Sequence, residues 1–141
     1  MMRWMTEAQV LKAAHKSDRA ALLNSIAHWT QLASASKAKF LDAYEVDRVG
    51  IGIHFCALCM RHVVVYHNGL GCSGCPLHMH GDGCCEEVGV YQNVTNAFCP
   101  ECYDYNHNVF RSAACKMRDL LIHLRDKHKD GDYSHAPDGK C

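Results

Sequence analysis

The sequence lacks an excess of charge of either sign and lacks any long hydrophobic run. Its 15 basic residues balance 15 acidic ones over 141 residues, so the chain has no overall positive charge with which to bind nucleic acid. Hydrophobic residues make up 48% and charged residues 21%, which is ordinary usage for a globular domain. Composition therefore excludes a transmembrane protein, a chain that is a disordered tail throughout, and a basic DNA-wrapping protein, and we expect no membrane partner.

The first residues also lack the apolar run and the small-residue cleavage site of a secretory signal peptide. We therefore expect a cytoplasmic protein in a reducing compartment. Paired cysteines in such a compartment bind metal or carry out redox chemistry more often than they form structural disulfides. The unusual chemistry that the sequence does hold lies in 10 cysteines and 11 histidines.

Helices are expected at the start of the chain. Thr6 and Gln9 match a capping box, which predicts a helix over residues 6–16. Ser17 and Asp18 can cap a second helix, which is expected over residues 18–33 because its apolar residues recur at helical spacing. Trp29 lies on that apolar face, and we expect it to anchor the core.

The middle of the chain favours strands, and its end favours a helix. Ile51, Ile53 and Phe55 alternate with other residues, and the run 63–65 is all valine, both of which are typical of strands. Near the end, one apolar stripe predicts an amphipathic helix. Its residues are Ala113, Met117, Leu120, Leu121 and Leu124.

We therefore expect an α+β fold, in which a small zinc-stabilised hairpin of treble-clef type is flanked by N-terminal helices and a C-terminal amphipathic helix. One domain is expected over residues 1–129. It divides into a helical part (1–48), a zinc module (49–110) and the C-terminal helix (111–129). Residues 130–141 are expected to form a flexible tail.

Two Cys-x-x-Cys pairs indicate a zinc site. Cys56 and Cys59 are separated from Cys72 and Cys75 by twelve residues. Each pair forms a tight turn that points two sulfurs at one position, and two such turns supply the four thiolates of a closed, tetrahedral zinc site. A redox dithiol is the alternative, but the βαβ pattern that accompanies such motifs is missing.

A third pair, Cys99 and Cys102, suggests a second zinc site. The remaining ligands of that site are left open by the sequence. The candidates are Cys84, Cys85 and His107, together with His78, His80 and Cys115. The alternative is a single zinc ion, with the other cysteines buried as small apolar residues.

No catalytic residue is predicted. Four thiolates close a zinc site, whereas a catalytic zinc keeps one position open. The His-x-Glu motif of zinc deaminases is absent. A His-Asn-His-like nuclease is the main enzymatic alternative, but Asn106-His107-Asn108 lacks the partner residues and the two knuckles leave no room for a catalytic hairpin.

Charge weighs against nucleic acid as the partner of the zinc module. Residues 49–110 contain one basic residue, Arg61, against five acidic ones, and each four-thiolate zinc site adds further negative charge. Nucleic acid remains possible along the last helix, where basic residues form a stripe. These are Arg111, Arg118, Arg125 and Lys129. Because acidic residues lie beside them, a solvated, salt-bridged face is the alternative.

The cysteine framework resembles that of a group of small phage and prophage proteins. The resemblance lies in the segment Ser25-Ile26-Ala27-His28-Trp29, then Cys56-Ala57-Leu58-Cys59, then Cys72-Ser73-Gly74-Cys75-Pro76-Leu77 and Cys84. This resemblance implies a zinc fold and a phage or prophage setting in a bacterial host cell, and it implies no particular activity. We therefore expect a zinc-binding accessory protein that binds a host protein and acts by occupying its surface.

Overall fold

The computed structural model describes residues 3–52, 55–65, 75–79 and 89–127. In chain order its helices are α1 (Glu7–Lys16), α2 (Asp18–Ser34), α3 (Lys37–Glu45), α4 (Ala57–Cys59), α5 (Pro76–Met79), α6 (Val90–Ala97) and α7 (His107–Lys127). A π-helical segment, Met60–Val65, continues α4. The described residues contain no strand, so the expected α+β fold with a hairpin is wrong.

The first two helices begin at their predicted capping residues. Thr6 Oγ1 accepts a hydrogen bond from the Gln9 amide at 3.2 Å, and the Thr6 amide donates to Gln9 Oε1 at 2.9 Å. This reciprocal pair confirms the capping box. Ser17 then accepts from the Ala20 amide at 3.0 Å, so a single residue separates α1 from α2, and the two helices pack against each other.

Helices α2 and α7 pair most extensively and form the centre of the fold. Trp29 on α2 is 1% exposed, which confirms it as a core residue. The predicted stripe of α7 is confirmed too, since Ala113, Met117, Leu121 and Leu124 are buried. Buried apolar residues from α1 to α7 form one cluster, while the residues expected to form the tail, 130–141, lie outside the described chain.

The valine-rich run is helical because tertiary contacts outweigh its strand preference. Its segment follows directly from α4, whose N-cap is Cys56. Arg61, within the π-helical segment, is tied to the first two helices by polar contacts. Ile51 lies in a bend, and Ile53 lies outside the described chain.

Candidate metal centre

The Cys56–Cys59 turn brings a backbone amide to the sulfur of Cys56. The Cys56 thiol accepts a hydrogen bond from the Cys59 amide, with an N–S distance of 3.4 Å. Cys56 is 2% exposed, and Cys59 is half-buried at the end of α4. An amide that points at a sulfur stabilises the thiolate, which is the form that binds metal.

The surroundings of Cys56 hold its thiol toward the thiolate form. The hydrogen bond with the Cys59 side chain is the largest cause of a lowered pKa at Cys56. Burial opposes this effect, while the Cys59 amide and the Ser25 hydroxyl on α2 add to the lowering. The donor chemistry of this turn therefore fits a zinc ligand pair, which would supply structural cross-linking.

The second half of the predicted first site is only partly described. Cys75 is 5% exposed and directly precedes α5, which starts at Pro76. Cys72 lies outside the described residues. Within the described ranges, no three His, Cys, Asp or Glu side chains are placed to share a metal ion, so the four-cysteine site remains a prediction.

The third Cys-x-x-Cys turn is a compact knuckle between α6 and α7. The structure joins the sulfurs of Cys99 and Cys102, whose Cα atoms are 5.3 Å apart. The Cys102 amide donates to the Cys99 carbonyl at 3.0 Å. A disulfide and a shared metal ion both require two sulfurs at one position, so this turn fits either chemistry.

The other candidates for the second site are scattered or outside the described chain. Cys84, Cys85 and His80 lie outside it. His78 is in α5, and Cys115 is half-buried within α7. The second zinc site therefore also remains a prediction, with the Cys99–Cys102 pair as its described part.

His107 occupies a buried position with both ring nitrogens engaged. Its Nε2 lies 2.9 Å from the Ala35 carbonyl oxygen, which can only accept, so Nε2 donates. Its Nδ1 lies 2.8 Å from the hydroxyl of Tyr105, whose pKa is raised to about 12 by burial. That hydroxyl is therefore protonated and donates to Nδ1, and a metal-ligand role for His107 would require one of these bonds to break.

A buried ion pair beside the first knuckle was not predicted from the sequence. Arg61 is 6% exposed, pairs with Asp18 and donates to the Ala14 carbonyl at 2.7 Å. His62 Nε2 lies 4.0 Å from Asp18, and burial is the main cause that lowers the pKa of His62. The signal available in the sequence was that Arg61 is the single Lys or Arg in residues 49–110, which could have marked it as a residue with a specific partner.

The arginine stripe of α7 is engaged within the protein. Arg111 donates to the Ala33 carbonyl at 3.0 Å, near the C-terminus of α2. Arg118 lies 3.0 Å from Asp119, and Arg125 lies 3.0 Å from Asp126. Lys129 lies outside the described residues. Arg118 and Arg125 therefore form salt bridges on this face, Arg111 binds a backbone carbonyl, and a contact between the stripe and nucleic acid stays a prediction.

Comparisons with protein-family models, curated proteins and solved structures return no match for this chain. No helix in the described part of the chain is long and apolar enough to cross a membrane.

Proposed function

We propose that this chain is a zinc-stabilised protein-binding module that occupies the surface of a partner without turnover. The resemblance to phage and prophage proteins makes a bacterial host protein in the cytoplasm the proposed partner. The observation that carries the proposal is the knuckle formed by Cys99 and Cys102. Contacts with α3 hold this knuckle in place, and the side chain of Tyr103, which follows it, is fully exposed.

The knuckle is anchored by aromatic packing. Phe98 and Tyr105, which flank it, contact Phe40 of α3 with ring-centroid distances of 6.1 and 6.2 Å. The Tyr44 hydroxyl, also on α3, donates to Glu101 at 2.7 Å. These contacts fix the backbone of the knuckle before any partner arrives, which lowers the entropy cost of binding.

The outer side of the knuckle combines an aromatic group with negative charge. Tyr103 has a relative exposure of 107%, and exposed tyrosines of this kind are enriched at protein-binding hot spots. Glu101 and Asp104 are also exposed, and the hydrogen bond from Tyr44 lowers the pKa of Glu101. The side chain of Arg61 is buried in its ion pair. This charge pattern favours a basic protein surface over phosphate.

The residues that could have signalled catalysis have structural roles. Asn106 accepts from the Val109 amide at 3.2 Å and so caps α7, while both ring nitrogens of His107 are hydrogen-bonded. This use of the Asn-His-Asn segment supports a binding protein over a nuclease.

The metal part of the proposal is tested by elemental analysis of reduced, dialysed protein. We expect about two zinc ions per chain and at least one. Folded protein with a metal content near zero would contradict the zinc sites.

The partner part is tested by affinity purification of the tagged chain from bacterial host cells, with and without nuclease treatment. A specific host protein should remain bound after nuclease treatment and should be lost with Tyr103→Ala. Leu11→Ala, at a residue 40% exposed on α1, is the matched control and should retain the partner. Loss of all bound material on nuclease treatment would favour nucleic acid instead.

A further inference from the structure

A cleft lies between the start of the chain and the segment that follows α3. Its volume is about 780 Å³, within the range of roughly 300–1,000 Å³ that small-molecule sites occupy. Two half-buried aromatic residues, Trp4 and Phe55, and two exposed arginines, Arg3 and Arg48, line it. This N-terminal cleft shares no residue with the knuckle or with the predicted metal ligands.

Trp4 is held at the cleft by hydrogen bonds on both sides of it in the chain. Gln31 Nε2, on α2, donates to the Arg3 carbonyl at 2.6 Å. The Met5 amide donates to Gln31 Oε1 at 2.9 Å. A single side chain of α2 therefore fixes the backbone before and after Trp4, and Trp4 itself packs against the core.

Phe55, the second aromatic residue of the cleft, is fixed by close packing. Its ring stacks on the buried ring of His28, with a centroid distance of 6.2 Å and an angle of 18° between the planes. Gly50 lets its backbone approach the same ring, since a Cβ there would lie 2.7 Å from Cε2 of Phe55. Aromatic side chains fixed in this way suit a planar ligand such as a nucleobase, which stacks on them.

Arg48 is positioned by the end of α3. The Arg48 amide donates to the Ala43 carbonyl at 2.9 Å, and the Asp47 amide donates to the Tyr44 carbonyl at 3.1 Å. With φ of 54° at Asp47, this is the Schellman arrangement that closes a helix. Neither Arg48 nor Arg3 forms an ion pair with another described residue, so both guanidinium groups can donate to phosphate oxygens.

The charges of the cleft favour a small anion over a polyanion. Glu7 and Asp47 also line it, so its two cationic side chains are balanced by two carboxylates. That balance disfavours a nucleic-acid strand, which carries a negative charge on every nucleotide. Carboxylates accept hydrogen bonds from ribose hydroxyls, so a ligand with a base, a ribose and a phosphate matches all three kinds of side chain.

We propose that the N-terminal cleft binds a free nucleoside phosphate, with its base stacked on Trp4 and Phe55 and its phosphate bound by Arg3 and Arg48. This site goes beyond the proposed function. The aromatic residues and the backbone of Arg48 are fixed before the ligand arrives, which lowers the entropy cost of binding.

The test is calorimetric titration of the full chain with AMP, GMP, UMP, adenosine, inorganic phosphate and single-stranded hexa-adenylate. The wild type should bind AMP about 10-fold or more tightly than adenosine or phosphate, because each of these lacks one half of the ligand. Arg3→Gln and Arg48→Gln should each weaken AMP binding about 10-fold and leave adenosine binding unchanged. Arg118→Gln, on α7 outside the cleft, is the matched control and should bind AMP as the wild type does.

Tryptophan fluorescence locates the base. The chain has two tryptophans, and Trp29 is 1% exposed, so quenching by AMP should come from Trp4. Trp4→Phe keeps a ring for stacking and should bind AMP without this quenching. Trp4→Leu should bind AMP about 10-fold more weakly.

Equal AMP affinity in Arg48→Gln and the wild type would overturn the proposal, as would a wild-type chain that binds none of the three mononucleotides. Quenching by AMP that persists in Trp4→Phe would also contradict it, because the base would then lie elsewhere. Hexa-adenylate that binds more tightly than AMP, and loses this binding in Arg48→Gln, would assign the cleft to single-stranded nucleic acid and overturn the free nucleotide as its ligand.

Discussion

Acidification is expected to destabilise this protein through His28. The ring is 2% exposed, and its Nε2 donates to the Gly50 carbonyl at 2.9 Å. It stacks on Phe55 with a centroid distance of 6.2 Å. Burial is the main cause that lowers the pKa of His28 from 6.5 to about 4. A second proton would place an uncompensated charge inside the core.

The sign and size of the effect follow from linkage. Between pH 6.5 and 4 the unfolded chain binds a proton at His28 while the native chain does not, so stability is fully present above pH 6.5 and is lost as the pH falls. The full difference corresponds to about 3 kcal/mol, of which about 2 kcal/mol is lost between pH 7 and pH 5.

The assay is urea unfolding of the zinc-loaded, reduced protein at pH 7 and pH 5, with wild type compared to His28→Gln so that the pH dependence of zinc binding is common to both. Glutamine keeps an N–H donor for the Gly50 carbonyl and removes the titrating ring. Between pH 7 and pH 5 the free energy of unfolding of His28→Gln should therefore fall by about 2 kcal/mol less than that of the wild type. His15→Gln, on the exposed face of α1, should behave as the wild type. An equal pH dependence in wild type and His28→Gln would refute the reasoning, as would a His28 imidazole that titrates near pH 6.5 by NMR.

Three further predictions concern stability. Arg61→Ala should lower the free energy of unfolding by about 3 kcal/mol or more, because it leaves Asp18 partly buried without its cation; a loss below about 1 kcal/mol in chemical denaturation would contradict this. Phe40→Ala should cost about 3–5 kcal/mol, because the ring is fully buried at the centre of the aromatic packing beneath the knuckle; an unchanged Tm would contradict that role. Cys56→Ser should unfold the middle of the zinc-loaded chain, since metal binding supplies folding free energy on the order of 10 kcal/mol in such sites. The control Cys141→Ser should have no effect. Intact near-UV dichroism in Cys56→Ser would argue against a structural zinc.

Local signals in the sequence were sufficient for the terminal helices. The capping box of Thr6 and Gln9 and the cap at Ser17 set the starts of α1 and α2, because both depend on contacts within four residues. The burial of Trp29 and the apolar stripe of α7 also followed from spacing alone, since helical periodicity determines which side chains share a face.

The candidate site was predictable only as far as its chemistry is local. The spacing within Cys56–Cys59 and Cys99–Cys102 indicated tight turns, and the structure shows both turns. Which cysteines come together across the chain depends on long-range packing, so the sequence left the ligands of the second site open. The role of His107 likewise could not be predicted from local sequence. One of its hydrogen-bond partners, Tyr105, is near in sequence, but the other, Ala35, is far from it.

The middle of the chain was decided by tertiary structure. Three consecutive valines favour a strand, but α4 starts the segment as a helix and Arg61 ties it to Asp18, 43 residues away. The same long-range ion pair buries Arg61, the single Lys or Arg of residues 49–110. Sequence alone therefore determined the helices whose signals lie within one or two turns, while packing against α1 and α2 determined the conformation of the segment that follows the first cysteine turn. The physical reason is that strand propensity mostly reflects packing against neighbours, and here the neighbours are the helices α1 and α2, to which Arg61 is joined through Ala14 and Asp18.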